Sequence, residues 1–347
     1  MSTEQRLSFE EATELVTTAP FDIFSQTTGN TLTSSSSRGA AFYFQLAVVI
    51  IGIVGMAANG LVLYAMVASK QHRKHVLIFN QNLLDLVCCF FLSIMYGTKL
   101  ANVYLEGVHG YWLCLTLLSE GPAWGPFVGS LMNLEAITIE RYLKVVRPVL
   151  AKKKLHMWTI YSVIPFTWIG GIAVAVGVTI STTNVVNGVC YTLVFWKSHT
   201  VQIAYGIWYF LSFFVIILLI FVFFYWRILI AIRRQASVMA AHSATGSGTA
   251  QTQSKQIQTN VIKTMMLVSA LFAVTWAPLQ IYYLILNIHS TLTLRENVYY
   301  VTMFAGFLYN CTNPFIYATN FDPVRRVLNR LIPCKKSTEH PESIEVA

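Results

Sequence analysis

The stretch FVGSLMNLEAITIERY, residues 127–142, closes an apolar segment that begins near Trp112 and continues to Ile139. It ends on Glu140, Arg141 and Tyr142. An ionisable side chain inside a membrane is costly and by default marks a functional site. An adjacent acid and base can neutralise each other, and separating them frees the guanidinium for other partners. Two interpretations follow: a switch at the end of a membrane helix, or a charged helix end that snorkels to the lipid interface.

The composition is that of a membrane protein. Of the 347 residues, 55% are hydrophobic and 11% are charged, whereas a soluble domain carries about 25% charged residues. The six cysteines lack zinc-site spacing and are too sparse for a disulfide scaffold. Residues 1–40 contain no apolar core, so we expect no cleavable signal peptide, and the first span would act as its own insertion signal.

Seven apolar stretches have roughly the ~20 residues that a membrane-spanning helix needs. We therefore predict an all-α membrane protein, a seven-transmembrane helix bundle. The predicted spans are Phe42–Val67, Val76–Tyr96, Trp112–Ile139, Met157–Ile180, Ile203–Ile228, Val261–Ile288 and Val298–Tyr317.

The remaining segments complete the expected domain plan. Residues 1–40 form an extracellular disordered tail, because they are polar and rich in Ser and Thr. The helix bundle occupies residues 41–320, with a third cytosolic loop at about 232–260. Residues 321–333 form a short amphipathic eighth helix on the inner leaflet. Residues 334–347 form a cytosolic tail that opens with Cys334, which is placed for palmitoylation.

The motifs on these spans resemble those of the rhodopsin-like (class A) G-protein-coupled receptors. Besides the Glu-Arg-Tyr triplet, the matching residues fall in order on their spans: Asn59, Asp85, Trp168, Tyr225, Phe272, Trp276, Pro278, Asn313, Pro314 and Tyr317. Departures include Ala58 before Asn59, Ile217 where a proline is usual, and Asn310 one residue after its usual place.

This resemblance implies roles for the polar residues inside the bundle. Asp85 would lie mid-membrane and would hold Na⁺ together with Asn59, Ser130, Asn310 and Asn313, which makes Asp85 the one metal-ligand candidate. A protonated Asp85 in a network without an ion is the alternative. Phe272, Trp276, Pro278, Asn313 and Pro314 would form the hinge and toggle, because a proline removes a helix hydrogen bond.

The outer half of the bundle supplies a predicted disulfide and a predicted ligand cavity. Cys114 and Cys190 resemble the pair that ties the third span to the second outer loop. Glycine and proline at 121–126 would absorb the extra residues between Cys114 and Arg141 as a bulge or kink. The cavity residues are Glu120, Ala123, Trp124, Phe127, Trp208, Tyr282, Tyr283 and Phe307.

The cavity residues restrict the ligand class. Ala123 stands where receptors for biogenic amines carry an Asp, and Phe307 stands where opsins carry the retinal-binding Lys. We therefore expect neither an amine of that class nor retinal, and no other cofactor. A peptide or an amphipathic small molecule fits better, and Glu120 would meet a cationic group. Glu120 at a water-exposed helix end is the alternative interpretation.

The resemblance also implies the partners. Arg141 would leave Glu140 and approach Tyr225 and Tyr317, opening a cleft for a heterotrimeric G protein in the plasma membrane, with arrestin and kinases as further partners. Gln258 stands where many relatives carry a second acid that holds the arginine. Other classes considered are an opsin-like light sensor without a Schiff base and a transporter, but no internal repeat of the transporter kind is present. No nucleophile and base pair indicates an enzyme.

Charge placement yields the first testable prediction. Of the 24 Lys and Arg residues, 19 fall on one side of the spans and five on the other. Basic loops stay in the cytosol, so the N-terminus should be extracellular and the C-terminus cytosolic. The excess is accordingly a topology signal with some attraction to membrane lipid, and not a nucleic-acid surface. Epitope tags at each end, stained in intact and permeabilised cells, test this; a C-terminal tag stained in intact cells would contradict it.

Overall fold

A computed structural model describes residues 34–186, 188–192, 198–242, 249–289, 296–320 and 322–331. These residues form eleven α-helices: α1 (Ser34–Ala68), α2 (Val76–Leu100), α3 (Gly107–Leu113), α4 (Gly121–Val146), α5 (Pro148–Lys154), α6 (Met157–Thr182), α7 (His199–Phe210), α8 (Ile216–His242), α9 (Thr249–Ile288), α10 (Glu296–Asn320) and α11 (Asp322–Leu331). The predicted helical bundle is confirmed.

Five of the described helical segments are long and apolar enough to cross a membrane: 39–68, 76–100, 157–177, 199–235 and 262–288. The α4 and α10 helices fall outside this set although both were predicted as spans. The reason lies in their polar residues, since α4 carries Glu135, Glu140 and Arg141 and α10 carries Asn310 and Asn313. Of these five residues, Glu140, Arg141, Asn310 and Asn313 are buried inside the bundle.

The long helices pack side by side around one core. The α2 helix packs on α1 and α4, α4 packs on α6 and α8, and α10 closes the arrangement by packing on both α9 and α1. The largest fully buried side chains include Trp276, Tyr309 and Tyr317. We call the end of the bundle that carries Cys114 and Cys190 the disulfide end, and the opposite end the Arg141 end.

The third predicted span, Trp112–Ile139, is not one continuous helix. The α3 helix passes into a five-residue π-helical turn at Cys114–Leu118, and Ser119 then adopts an extended conformation before α4 begins. Pro122, at the start of α4, has no N–H to continue a hydrogen-bonded helix from the preceding turn. The break takes up the extra residues after Cys114, as the sequence indicated, but just before Gly121.

A two-stranded antiparallel hairpin covers the disulfide end and adds a feature that the all-helical prediction lacked. Its strands are β1 (Thr183–Val186) and β2 (Val189–Thr192), and Gly188 in the turn has a φ of +76°. Cys190 of β2 bonds to Cys114 with a Cα–Cα distance of 5.4 Å. The predicted disulfide is therefore confirmed, and it joins the hairpin to the start of the π-helical turn.

The Arg141 end differs from the predicted boundaries. The α8 helix continues to His242 and α9 begins at Thr249, so much of the segment expected as the third loop (232–260) is helical. The first glycine after α8 is Gly246, which explains why helix-compatible residues extend so far. The α11 helix lies where the short amphipathic helix was expected, and it packs on α1 and α10. The tail 1–33 and Cys334 lie outside the described residues.

Glycines allow α4 and α6 to approach closely. Gly121, Gly125 and Gly129 recur every four residues on α4 and face Thr179, Ala175 and Thr167 of α6. A Cβ atom on Gly129 would lie 2.9 Å from the Thr167 carbonyl oxygen, which is closer than real contacts allow. Small residues at this spacing are how membrane helices gain close packing without a hydrophobic driving force.

Gly129→Leu should therefore destabilise the bundle. The leucine side chain has no space against α6, and overpacking of this kind costs roughly 1–3 kcal/mol or more. Thermal denaturation of the purified protein and surface expression are the measurements. Gly177→Leu is the control, because a Cβ atom there meets nothing within 4 Å. Equal losses in both variants would show that the close α4–α6 packing is not what matters.

Candidate functional site

A small cavity of about 10 Å³, roughly the space that one water molecule needs, lies in the half of the bundle nearer the disulfide end. It is lined by residues of α2, α4, α9 and α10 together with Glu120, the residue immediately before α4. Five of the eight predicted ligand residues line it: Glu120, Ala123, Trp124, Phe127 and Phe307. Its walls are mostly apolar, with Glu120 and Asn310 as the polar groups, which is the usual character of a small-molecule site.

Glu120 is the one acidic side chain at this cavity among the described residues. Its carboxylate accepts a hydrogen bond from Trp124 Nε1 at 3.2 Å, so the indole holds it in place. Lys99 lies near it with Nζ 4.8 Å from the centre of the Tyr96 ring. Tyr96 in turn contacts Phe307 edge-on at 5.8 Å. Lys99 and Tyr96 do not line the cavity themselves, whereas Glu120, Trp124 and Phe307 do.

Trp276 and Phe127 form a stacked pair at the cavity, with ring centres 4.1 Å apart and planes inclined by 25°. Trp124 meets Trp276 edge-on at 5.6 Å. Phe272 lies one turn before Trp276, contacts Tyr309 at 5.8 Å and does not line the cavity. Pro278 lies within the continuous helix α9. These contacts place Trp276 and Phe272 in sequence between the cavity and the centre of the bundle.

Three predicted ligand residues do not line the cavity. Trp208 is 55% exposed on the outer surface of the bundle. An aromatic residue facing lipid and one facing a cavity look alike in sequence, which explains the error. Tyr282 and Tyr283 instead belong to an aromatic cluster with Tyr299 and Tyr209 near the disulfide end.

Asp85 is fully buried and hydrogen bonded from two neighbouring helices. Ser130 Oγ donates to one carboxylate oxygen and Asn313 Nδ2 to the other, each at 2.8 Å. The structure thus brings Ser130 and Asn313 to Asp85 as expected. Buried polar groups need such partners, since an unpaired carboxylate would be far more costly. The pairing ties α2 to α4 and α10 in the middle of the bundle.

Asn59 and Asn310 form a separate contact rather than bonding to Asp85. Pro314 has no N–H, so the Asn310 carbonyl lacks its normal helical donor. Asn59 Nδ2 donates to that carbonyl at 3.1 Å and takes the missing place. The Asn310 side chain donates instead to Cys88 Sγ at 3.4 Å. The Pro314 interruption of α10 is therefore satisfied by a side chain of α1.

Gln81 is a polar neighbour of Asp85 that the sequence interpretation missed. Its Nε2 donates to Ser130 Oγ, and its Oε1 accepts from Asn133 Nδ2 at 2.8 Å. Asn80 extends the chain, because it donates to Asn133 Oδ1 at 3.0 Å and accepts from Trp168 Nε1 at 3.0 Å. One hydrogen-bonded chain therefore crosses from α6 to Asp85. Its sequence signal was a second amide, at position 81, one helical turn before Asp85.

Arg141 is buried at the opposite end of α4, only 5% exposed. One terminal nitrogen, Nη2, lies 3.5 Å from a Glu140 oxygen and 3.4 Å from His75 Nδ1. The other Glu140 oxygen accepts from Lys144 Nζ at 2.5 Å. The expected Glu140–Arg141 pair is present, but Glu140 is shared with Lys144 one turn later. Neither Lys144 nor His75 was predicted to take part.

The other predicted switch residues surround this pair to different degrees. Tyr225 OH is hydrogen bonded to Thr138 Oγ1 at 3.0 Å and Ser269 Oγ at 3.1 Å, which links α8 to α4 and α9. Tyr317 is buried, and its hydroxyl has no hydrogen-bond partner among the described residues. Tyr142 packs on Phe224 at 4.9 Å. The side chain of Gln258 lies outside what the structure describes.

Comparison with known proteins places this arrangement in context. The family model described as "7 transmembrane receptor (rhodopsin family)" matches residues 58–317. Sphingosine 1-phosphate receptor 1 of Danio rerio is 27% identical over 290 residues, covering 80% of this chain and 74% of that protein. Melanopsin of Podarcis siculus is 24% identical over 307 residues, covering 83% and 61%.

Two further matches concern rhodopsins. The rhodopsin of Alloteuthis subulata is 30% identical over 145 residues, which is 40% of this chain and 32% of that protein. The chain thus spans less than two thirds of that rhodopsin and of the melanopsin. The crystal structure of squid rhodopsin matches with a TM-score of 0.70 at 18% identity, covering 86% of this chain and 89% of that one. At this identity the likeness shows the fold alone.

Proposed function

The chain belongs to the rhodopsin family of seven-transmembrane receptors. From that premise we propose that it binds an extracellular ligand in the cavity next to Trp276 and activates heterotrimeric G proteins at the Arg141 end. It is a multi-pass membrane receptor and not an enzyme. The observation that carries the proposal is the buried Arg141, which shares its one acidic neighbour among the described residues with Lys144. A charge held this way changes partners readily, as a switch requires.

A series of contacts extends from the cavity toward the Arg141 end. Trp276 lies at the cavity, and Phe272 lies one helical turn before it on α9. Phe272 contacts Tyr309 of α10 and Phe221 of α8. Tyr309 precedes the α10 segment that carries Asn313 and Tyr317. A ligand that favours one arrangement of Trp276 and Phe127 would bias α9 and α10 only by its difference in affinity for the two arrangements. The Arg141 end would then open for the G protein in the cytosol.

The ligand class follows from the cavity residues. Glu120 is its acid, and the stacked Phe127 and Trp276 form an apolar wall. Carboxylates and aromatic faces both attract cations. We propose an amphipathic ligand with a cationic group at Glu120 and an apolar part against Trp276. Small molecules with a lipophilic amine and peptides with a free N-terminus both have this chemistry.

A ligand screen read by several G-protein reporters tests this proposal. Lipophilic amines and short peptides should include activators, and Glu120→Gln should weaken them at least about tenfold, the order expected for losing one buried charge pair. Glu106→Gln, which removes an exposed acid at the same end, is the control and should have no effect. Activators that are all anionic, or that ignore Glu120→Gln, would contradict the assignment.

A light-sensing function is the second candidate, because relatives named rhodopsin and melanopsin are among the matches. Phe307, at the position of the retinal-binding Lys in opsins, contacts Tyr96 and lines the cavity. A phenyl ring cannot form a Schiff base, so covalent retinal at this position is not expected. Including 11-cis-retinal in the same screen distinguishes the two: an acid-stable visible absorbance would favour light sensing.

We also propose a Na⁺ site at Asp85. The residues around Asp85 offer oxygen atoms, which hard cations prefer. The amide oxygens of Asn59, Asn310 and Asn313 are buried without a hydrogen-bond partner among the described residues. No cluster of three acidic, His or Cys side chains exists in the described part of the chain, so neutral oxygens would complete the site.

Sodium should then stabilise the purified receptor. Replacing choline chloride by NaCl at equal ionic strength should raise the Tm, because a ligand that binds only the folded state stabilises it. Asp85→Asn should abolish the sodium-dependent part of that rise, because it removes the carboxylate charge with little change in side-chain size. Glu135→Gln, an acid elsewhere on α4, is the control. The same rise in wild type and Asp85→Asn would contradict a site at Asp85.

Gln258 leads to a prediction about signalling without ligand. Gln258 stands where many relatives carry an acid that holds the arginine in the resting state. A hydrogen bond from Arg141 to a neutral amide contributes about 1 kcal/mol less than one to a carboxylate. The active population without ligand should therefore be roughly fivefold larger than in a receptor that keeps the acid. Gln258→Glu should therefore lower basal G-protein signalling at equal surface expression. Gln256→Glu adds the same charge to another face of α9 and serves as the control. Basal output at background in the wild type, or no drop in Gln258→Glu, would contradict a weakly held Arg141.

A further inference from the structure

Arg141 lies in a long part of the chain without acids. Residues 141–295 contain no Asp or Glu, so helices α5 to α9 offer no carboxylate to any neighbouring cation. The acidic partner that Arg141 has among the described residues is Glu140 of its own helix. A pair within one helix cannot by itself tie two helices together. Within the part of the chain that the structure describes, a hold on Arg141 from another helix therefore comes from a neutral acceptor.

Glu140 compensates Arg141 only in part. Its oxygen is 3.5 Å from Arg141 Nη2, whereas its other oxygen is 2.5 Å from Lys144 Nζ. Arg141 Nε is buried with no hydrogen-bond partner in the described part of the chain. Arg always carries its charge and has five N–H donors. A buried guanidinium in this state stabilises any arrangement that offers it a further acceptor.

His75 is that acceptor in this structure. Its Nδ1 lies 3.4 Å from Arg141 Nη2, across the gap between α2 and α4. The backbone of His75 is held by the turn that precedes it, since its N–H donates to the Gln71 carbonyl at 2.9 Å and its own carbonyl accepts from the Phe79 N–H at 3.0 Å. The imidazole is therefore presented to Arg141 by a fixed backbone.

Two observations argue against a merely structural histidine. His75 occupies the N-cap position of α2 but its side chain makes no capping hydrogen bond. It also has to be neutral to accept from a guanidinium. Burial and the charge of Arg141 lower the pKa of His75 from 6.5 to about 4, and Lys144 and Lys74 act in the same direction, against Glu140. The ring is thus an acceptor at cytosolic pH.

We propose that His75 is a positioning residue that holds Arg141 toward α2 in the resting receptor. This inference rests on the proposed function and adds where Arg141 is held. The contact between His75 and Arg141 joins α2 to α4. A carboxylate at position 258 would instead join α4 to α9. Arg141 has to leave His75 before it can meet a G protein. The connection between α1 and α2 thereby becomes part of the switch.

Three variants test the hold in cells. His75→Phe keeps a ring and removes the acceptor, so basal G-protein signalling should rise about three- to tenfold at equal surface expression. His75→Asn restores an acceptor near the position of Nδ1 and should return basal signalling toward the wild-type level. His72→Phe, in the same connection, is the matched control and should change nothing. Equal basal signalling in His75→Phe and wild type, or no rescue by His75→Asn, would overturn the proposal.

A second measurement separates this inference from the proposed function. The Tm values of purified wild type, His75→Phe, Arg141→Gln and the double variant form a cycle that needs no G protein. Coupled residues should give non-additive shifts in Tm. Non-additive shifts together with no G-protein signal from any variant would support the contact and contradict G-protein coupling. Additive shifts would overturn the contact whatever the signalling shows.

Discussion

The buried guanidinium of Arg141 is the constraint on which the Arg141 end of the bundle depends. It cannot lose its charge, and it lies where water does not compensate it. Because Glu140 also pairs with Lys144, it compensates the charge of Arg141 only in part. A stronger pair would hold one state permanently, and no partner at all would prevent the helix from packing. Under the proposed function, partial compensation by an acid and a neutral imidazole would let two arrangements of Arg141 lie close in energy.

In the middle of the bundle, by contrast, the polar side chains are extensively hydrogen bonded to one another. Asp85, Ser130, Gln81, Asn133 and Asn80 form one continuous hydrogen-bonded chain, extended to Trp168 on one side and Asn313 on the other. A network whose members are paired fixes the helices relative to one another. Around Pro314 the pairing continues through Asn59, while several amide oxygens nearby keep free lone pairs. Side-chain hydrogen bonds thus link α1, α2, α4, α6 and α10 in the middle of the bundle.

Long apolar runs predicted the helices, and the resemblance to the receptor family supplied the Cys114–Cys190 disulfide, which the structure contains. The π-helical turn and the extended Ser119 were only partly foreseen, since the excess length between Cys114 and Arg141 does not say where a helix breaks. The outward-facing Trp208 was misplaced because lipid and protein interior are equally apolar. His75 and Gln81 were missed because contacts between helices depend on helix rotation, which apolar runs do not determine.

Under the proposed function, Arg141 leaves its resting partners and the Arg141 end of the bundle opens when a G protein binds. The distance between spin labels at Lys74→Cys and Lys263→Cys, both exposed positions at that end, measures this directly. The buried Cys88, Cys89 and Cys311 should remain unlabelled, and Cys334→Ser removes a further thiol. A short distance should dominate in the purified receptor, and binding of a nucleotide-free G protein should shift the distribution to a longer one. A distribution that G protein leaves unchanged would contradict the account.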